Sequence, residues 1–166
     1  MDYGMIGKIE KARRYAEEPQ RITFKTFQAH FRGSNSDYDI SLNETGWACT
    51  CPGFHSQKIC PHVMAMEKLF RPMLKREPLP YAHGQNVVSD VEKANRYTHE
   101  KDRIQFQSFE AVFHGENSEH HFGYTGNKWH CDCDFFKSRG VCSHTMAMER
   151  LLTGMLDVAV PQVVVH

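Results

Sequence analysis

The feature that most constrains this 166-residue chain is that it repeats itself without a gap. Lys11-Ala12-Arg13-Arg14-Tyr15 falls on Lys93-Ala94-Asn95-Arg96-Tyr97, an offset of 82 positions. At the same offset Arg21, Ile22, Phe24, Phe27, Ala29, Phe31 and Gly33 fall on Arg103, Ile104, Phe106, Phe109, Ala111, Phe113 and Gly115. Trp47 falls on Trp129, and Met64-Ala65-Met66-Glu67 on Met146-Ala147-Met148-Glu149. The chain therefore reads as a duplication, with copies at 5–74 and 87–156. A Pro- and Gly-containing linker covers 75–86. An apolar, β-branched tail covers 157–166; its Val158–Val165 run favours a strand, either docked at an edge or paired with a partner.

Periodicity outlines one copy. Ile9, Ala12 and Ala16, and Val88, Val91 and Ala94, recur at helical spacing, so each copy opens with a short amphipathic helix. The first helix should end near Pro19, and Ser89-x-x-Glu92 resembles a capping box for the second. Ile22 and Phe24 alternate as in a strand, as do Phe27, Ala29 and Phe31. The change of parity between Phe24 and Phe27, repeated between Phe106 and Phe109, predicts a β-bulge. Tyr38, Ile40 and Leu42 predict a second strand between turns at Gly33–Ser36 and Asn43–Gly46, and Trp47-Ala48-Cys49 a third. His62, Met66, Leu69 and Phe70 then share one helical face. Pro61 suits the first turn of that helix, Ser143 would cap its counterpart, and Pro72 should end or kink it. The expected class is α+β: two tandem small units, each a helix, a three-stranded antiparallel meander, a zinc knuckle and a helix. Units this small have little core, and a structural metal compensates for that.

All six cysteines fall inside the repeat, as Cys49, Cys51 and Cys60 with His62, and Cys131, Cys133 and Cys142 with His144. Both sets read Cys-x-Cys-x8-Cys-x-His. Three thiolates and one imidazole make a closed tetrahedral donor set, as in structural zinc sites, so two Zn2+ ions are expected. Disulfides fit poorly, because three cysteines per copy leave one unpaired, and three-Cys, one-His ligation is uncommon for iron–sulfur clusters. Of the 11 histidines, only His62 and His144 occupy equivalent positions. His55 aligns with Lys137, His30 with Val112 and His121 with Asp39, so these are expected to be solvated or packed rather than ligating.

This pattern resembles the SWIM zinc finger, a Cys-x-Cys-xn-Cys-x-His module with a ββα core. The resemblance covers about residues 38–74 and 120–156. It implies zinc binding, and a DNA- or protein-binding role like that of the module in chromatin-remodelling ATPases, Mutator-type transposases and ubiquitin-ligase-like proteins. Such relatives usually attach the finger to a larger catalytic domain, and none is expected within these 166 residues.

No catalytic constellation is evident. A Gly-rich phosphate loop, a Gly-x-Ser-x-Gly elbow, a His-Glu-x-x-His helix and a zinc-deaminase pattern are all missing, and a closed donor set has no position for a reactive water. Asp132 and Asp134 flank Cys133, but Thr50 and Pro52 stand at the equivalent places, which argues for solvated groups rather than a general base. The expectation is a non-enzyme without a small-molecule substrate. No apolar run approaches the ~18 residues of a membrane span, and the first residues do not resemble a secretory signal, so a cytoplasmic location is expected.

Two kinds of partner remain. Lys11, Arg13, Arg14 and Arg21 cluster with Lys8 around the first helix, and Lys93, Arg96 and Arg103 with Lys101 in the second copy. Lys68, Arg71, Lys75 and Arg76 extend the first copy's last helix. On a shared face these clusters would bind the phosphates of DNA or RNA. Against this, Arg14 and Glu18 are spaced for a surface helix pair, and Lys+Arg and Asp+Glu both number 20. Residues 1–82 carry a net charge of +3 and residues 83–166 a net charge of −3. Trp47 and Trp129 either stack on bases or pack over the knuckles. The alternative is a protein-interaction or scaffolding module, favoured by balanced charge, the apolar tail and a pseudo-symmetry suited to a symmetric partner.

Overall fold

Phenylalanines set the frame. Phe24, Phe27, Phe31, Phe106, Phe109 and Phe113 are all buried, on one face of two long strands. The computed structural model describes residues 3–80 and 87–156. The first copy contains α1 (Tyr3–Ala16), β1 (Ile22–Arg32), β2 (Asp37–Asn43), β3 (Gly46–Cys49), α2 (Pro52–Gln57) and α3 (Pro61–Leu74). The second contains α4 (Val87–Tyr97), β4 (Ile104–His114), β5 (Glu119–Thr125), β6 (Lys128–Cys131), α5 (Asp134–Arg139) and α6 (Ser143–Leu151). A single 3-10 turn precedes each long strand, at Pro19–Arg21 and Lys101–Arg103. The α+β class and the order of helix, meander, knuckle and helix agree with the sequence.

The two meanders are not separate sheets. β1 pairs antiparallel with β4, giving one six-stranded sheet in the order β3-β2-β1-β4-β5-β6. Phe27 lies opposite its own counterpart Phe109, so a pseudo-twofold axis passes between them. The register slips between Phe24 and Thr26 and again between Gln28 and Ala29, leaving Lys25 and its counterpart Gln107 as the extra residues. These are the two bulges the parity change predicts, and each turns the following apolar residues back onto the covered face. Phe24 stacks on its counterpart Phe106 at 5.8 Å and 11°, and Phe27 meets Phe106 edge-on at 5.3 Å. These rings belong to both copies, so neither buries its core alone. At about 1.5–3 kcal/mol for each fully buried phenylalanine, the shared cluster is a principal source of stability.

Antiparallel pairing also exchanges the first helices. Ile22 at the start of β1 lies beside Phe113 near the end of β4. The helix feeding β1 therefore arrives over the second copy, where α1 packs on α6; by the same geometry α4 packs on α3. Ala12 and Ala94 are fully buried at these contacts, their small side chains allowing close helix approach. The bounds 5–74 and 87–156 thus describe the repeat along the chain, while in space the copies interlock through helix and sheet.

Local details depart from expectation. α4 is already helical at Val87, so Ser89-x-x-Glu92 lies within it instead of capping it, and Val88 is 69 % exposed. Cys142 rather than Ser143 caps α6: its sulfur accepts from the backbone N–H of Thr145. In α3 the kink falls at Phe70 (φ −118°, ψ 18°), two residues before Pro72. Leu152, the counterpart of Phe70, has nearly the same dihedrals (φ −102°, ψ 21°) and ends α6. Both helices break at one place, and only the first resumes, Pro72 supplying a φ suited to a first turn. Of the linker, residues 81–86 lie outside the described residues, as does the tail at 157–166. Just before the tail, Phe106 N–H donates to the Met155 carbonyl at 2.6 Å.

Candidate metal centres

Each donor set is assembled by the same local device. Cys49 ends β3, Cys51 is the N-cap of α2, Cys60 is the N-cap of α3, and His62 sits in the first turn of α3. Cys131, Cys133, Cys142 and His144 occupy the equivalent places on β6, α5 and α6. The short helices α2 and α5 are absent from the sequence reading. Their signals were Pro52 directly after Cys51, suited to a first helical position, and Gly140, whose left-handed φ of 74° ends α5. Lys58 holds the same conformation at the end of α2. Each helix folds the eight-residue spacer so that the third cysteine returns to the first two.

All eight predicted ligands converge. Within each set the donor atoms lie within 4.8 Å of one another. His62 Nδ1 is 3.8 Å from Cys49 Sγ, and His144 Nδ1 is 3.6 Å from Cys131 Sγ and 3.7 Å from Cys142 Sγ. A tetrahedron with Zn–S near 2.3 Å and Zn–N near 2.0 Å has S···N edges of about 3.5 Å, so this spacing fits zinc. The six thiols are free and buried. Backbone N–H groups already point at them: Phe54 N–H at Cys51 Sγ and Val63 N–H at Cys60 Sγ, both at 3.4 Å. Such helix-start donors favour thiolates.

Without a cation the three thiols of a set compete for one charge. In the first set, hydrogen bonds from Cys49 and then Cys60 hold Cys51 far below the ordinary thiol range. As the donor, Cys49 is pushed up to about 11, and Cys60 is pushed up by its bonds to Cys49 and Cys51. In the second set Cys142 is lowered to about 3, chiefly by Cys131, while Cys131 is raised by that same bond and Cys133 by burial. A divalent ion that binds all three sulfurs relieves this competition.

The surroundings contain residues the sequence reading gave no role. The His62 ring lies parallel to Tyr97 (5.7 Å, 12°), and the His144 ring parallel to Tyr15 (6.1 Å, 2°). Each metal-site histidine is thus backed by a tyrosine from the other copy's first helix. The signal was the identity of Tyr15 and Tyr97 in both copies. Trp47 and Trp129 pack edge-on against the axial Phe27 (5.5 Å) and Phe109 (5.6 Å). Asp132 pairs with His120 at 3.1 Å, and His30 with Asp39 at 3.0 Å.

The basic residues divide into two groups. Arg21 pairs with Glu18 and donates to the His114 carbonyl at 3.3 Å, and Arg103 pairs with Glu100 and donates to the Arg32 carbonyl at 2.8 Å. Both stitch the 3-10 turns to the other copy's strand, so their position in the fold is accounted for by structure rather than by an outside partner. Arg96 also pairs with Glu100, at 3.7 Å. Lys75 donates to the carbonyls of Gln20, Ile22 and Pro72. The expected Arg14–Glu18 pair is absent, because Glu18 turns to Arg21. Lys11, Arg13 and Lys93 are exposed, as is Arg14.

Residues 36–68 and 124–151 both match the SWIM zinc finger family. Comparison with curated proteins and with solved structures finds no match.

Proposed function

We propose that this chain, which carries two SWIM zinc fingers, is a non-catalytic protein that binds nucleic acid through the surface its zinc sites hold in shape. One observation carries the reading. Lys8, Lys11, Arg13 and Arg14 lie within two turns of α1, and none has a carboxylate partner among the described residues. Glu18, four residues after Arg14, is taken by Arg21. Four unneutralised cations on one short helix are a phosphate-binding feature that the overall charge of zero conceals. A non-catalytic role is supported by the closed donor sets, in which four protein ligands fill a zinc tetrahedron. Among the described residues no helix is long and apolar enough to cross a membrane.

The pseudo-twofold frame favours a second reading, a scaffold that grips a two-fold symmetric protein partner. The two separate by binding. The proposal expects the zinc-loaded chain to bind random-sequence DNA at ~50 mM salt, weakening steeply as salt rises, and expects Arg13→Glu with Arg14→Glu to abolish most of that binding. Undetectable binding to both duplex and single strands at that salt would defeat it, and co-purification with a stoichiometric protein partner would favour the scaffold.

A further inference from the structure

Three of the α1 cations, Lys8, Lys11 and Arg14, line a cleft of about 660 Å³ beside the second zinc knuckle. It exists because the copies interlock: α1 supplies Lys8, Lys11 and Arg14, while the second copy supplies the turn after β4 and the start of α5. Two carboxylates, Glu116 and Asp134, also line it. Arg21 at its edge is held by Glu18. Phe135, half buried, lies on the cleft wall with the Lys8 ammonium 5.2 Å and the Arg139 guanidinium 5.5 Å from its ring centre.

The pseudo-symmetric position at the first knuckle is a control. There Lys8 is replaced by Asp90, Phe135 by Gly53 and Arg139 by Gln57, and the counterpart of Arg14 is the Glu100-paired Arg96. Zinc with three thiolates carries a net charge of −1 in either knuckle. Balancing that charge is therefore no reason for the extra cations at the second.

We infer that this cleft is the primary contact for a single-stranded nucleic acid, with phosphates at Lys8, Lys11 and Arg14 and one unpaired base against Phe135. A concave site suits a strand whose bases can turn inward, whereas a duplex presents its backbone outward and keeps its base faces stacked. An aromatic ring flanked by cations is the arrangement by which single strands are held without sequence preference. The flexible Lys8 stem lets its ammonium move from the ring to a phosphate, freeing a ring face for the base. This inference rests on the nucleic-acid reading above and adds the site and the strandedness.

The test uses the full zinc-loaded chain with labelled oligo(dT) of about 20 nucleotides and a random duplex of equal length. The single strand is expected to bind more tightly than the duplex. Lys8→Glu with Lys11→Glu should weaken oligo(dT) binding ~10-fold or more. Phe135→Ala should weaken it ~5-fold or more, and Phe135→Leu, which keeps apolar packing without a π face, should do the same. Lys93→Glu on α4 should change it less than ~3-fold. If the acidic double variant loses zinc or its melting transition, Lys8→Gln with Lys11→Gln replaces it. Binding that survives these changes, or falls equally with Lys93→Glu, overturns the cleft and leaves the general reading standing. Preference for the duplex overturns the strandedness. No binding by the unaltered chain overturns both.

Discussion

At the second knuckle α1 presents Lys8, Lys11 and Arg14, none in an ion pair among the described residues, while at the first α4 presents Asp90, Lys93 and an Arg96 tied to Glu100. The frames beneath them are the same. Ala12 and Ala94 seat the crossed helices, Tyr15 and Tyr97 back the histidines, and Arg21 and Arg103 stitch the 3-10 turns to the opposite strand. Many residues that touch the other copy or the donor set are identical in both halves, although Phe70 and Tyr38, which pack on Phe106 and His62, are replaced by Leu152 and His120. Interlocking explains why: a change at Phe27 is felt at once by Phe109, because they face each other across the axis. Exposed positions carry no such coupling, and there the two ends differ in charge.

The largest test of this equivalence is loss of a ligand. Cys60→Ser and Cys142→Ser should each remove one of the two expected zinc ions, measured by elemental analysis. Structural zinc supplies on the order of 10 kcal/mol of folding free energy, so either variant should lose its cooperative thermal transition or shift it strongly downward. Because α4 packs on α3 and α1 on α6, damage to one knuckle should spread to a helix of the other copy. Hydrogen exchange in α4 should therefore quicken in Cys60→Ser. If α4 keeps its full protection, the copies are independent and the comparison between them loses its physical basis.

The axial cluster gives the next effect. Phe27→Ala and Phe109→Ala should each cost about 3–5 kcal/mol. For a chain of this size that corresponds to a melting point lower by about 2–4 °C per kcal/mol. The two losses should agree closely, since both rings are about 1 % exposed and each meets the tryptophan of its own copy. Unequal losses would locate the stability in one copy and break the symmetry of the core.

A smaller asymmetry sits on the open face of the sheet. A side chain at Gly123 would place its Cβ 2.5 Å from the Phe109 carbonyl and against the Glu110–His130 pair. The first copy has Ser41, Gln28 and Ala48 at those places. Importing the first copy's residue, Gly123→Ser, should cost about 1–3 kcal/mol through this backbone clash, while Ser41→Gly should cost about 0.5–1 kcal/mol through chain entropy. Equal costs in chemical denaturation would show that the two sheet faces differ in composition but not in fit.

Much of this was legible in the sequence, and the exceptions have causes. The 82-residue offset and the alternation of Phe24, Phe27 and Phe31 revealed the strands, the bulges and both donor sets, because metal ligation and burial restrict residue type sharply. The pairing of β1 with β4 was not legible: a strand buried on one face reads the same whether its second neighbour belongs to its own copy or to the other. Helix exchange followed from that pairing and stayed hidden with it. The caps at Cys51, Cys60 and Cys142 were missed because serine is the expected cap, while here a thiol does that work. For Arg21 and Arg103 the sequence shows the charge but not the carbonyl of the other copy that each reaches.

The smallest predicted difference concerns protons. His30 is held between Asp39 at 3.0 Å and Asp37 at 3.4 Å, whereas its counterpart is Val112, which cannot titrate. The hydrogen bond to Asp39, followed by that to Asp37 and their charges, outweighs partial burial and raises the His30 pKa above its ordinary value. A group whose pKa is higher in the folded state stabilises that state fully below its unfolded pKa, and the contribution is lost as pH rises through the folded value. His30 should therefore stabilise the first copy near pH 6 and contribute little by about pH 8, where the imidazole is neutral. The pair is partly solvated, so the effect should lie within about 0.2–1 kcal/mol. Stability measured against pH should show this decline in the unaltered chain and a flatter profile in His30→Gln. A ring titration by NMR at or below the unfolded value would remove the effect, and with it this distinction between the two copies.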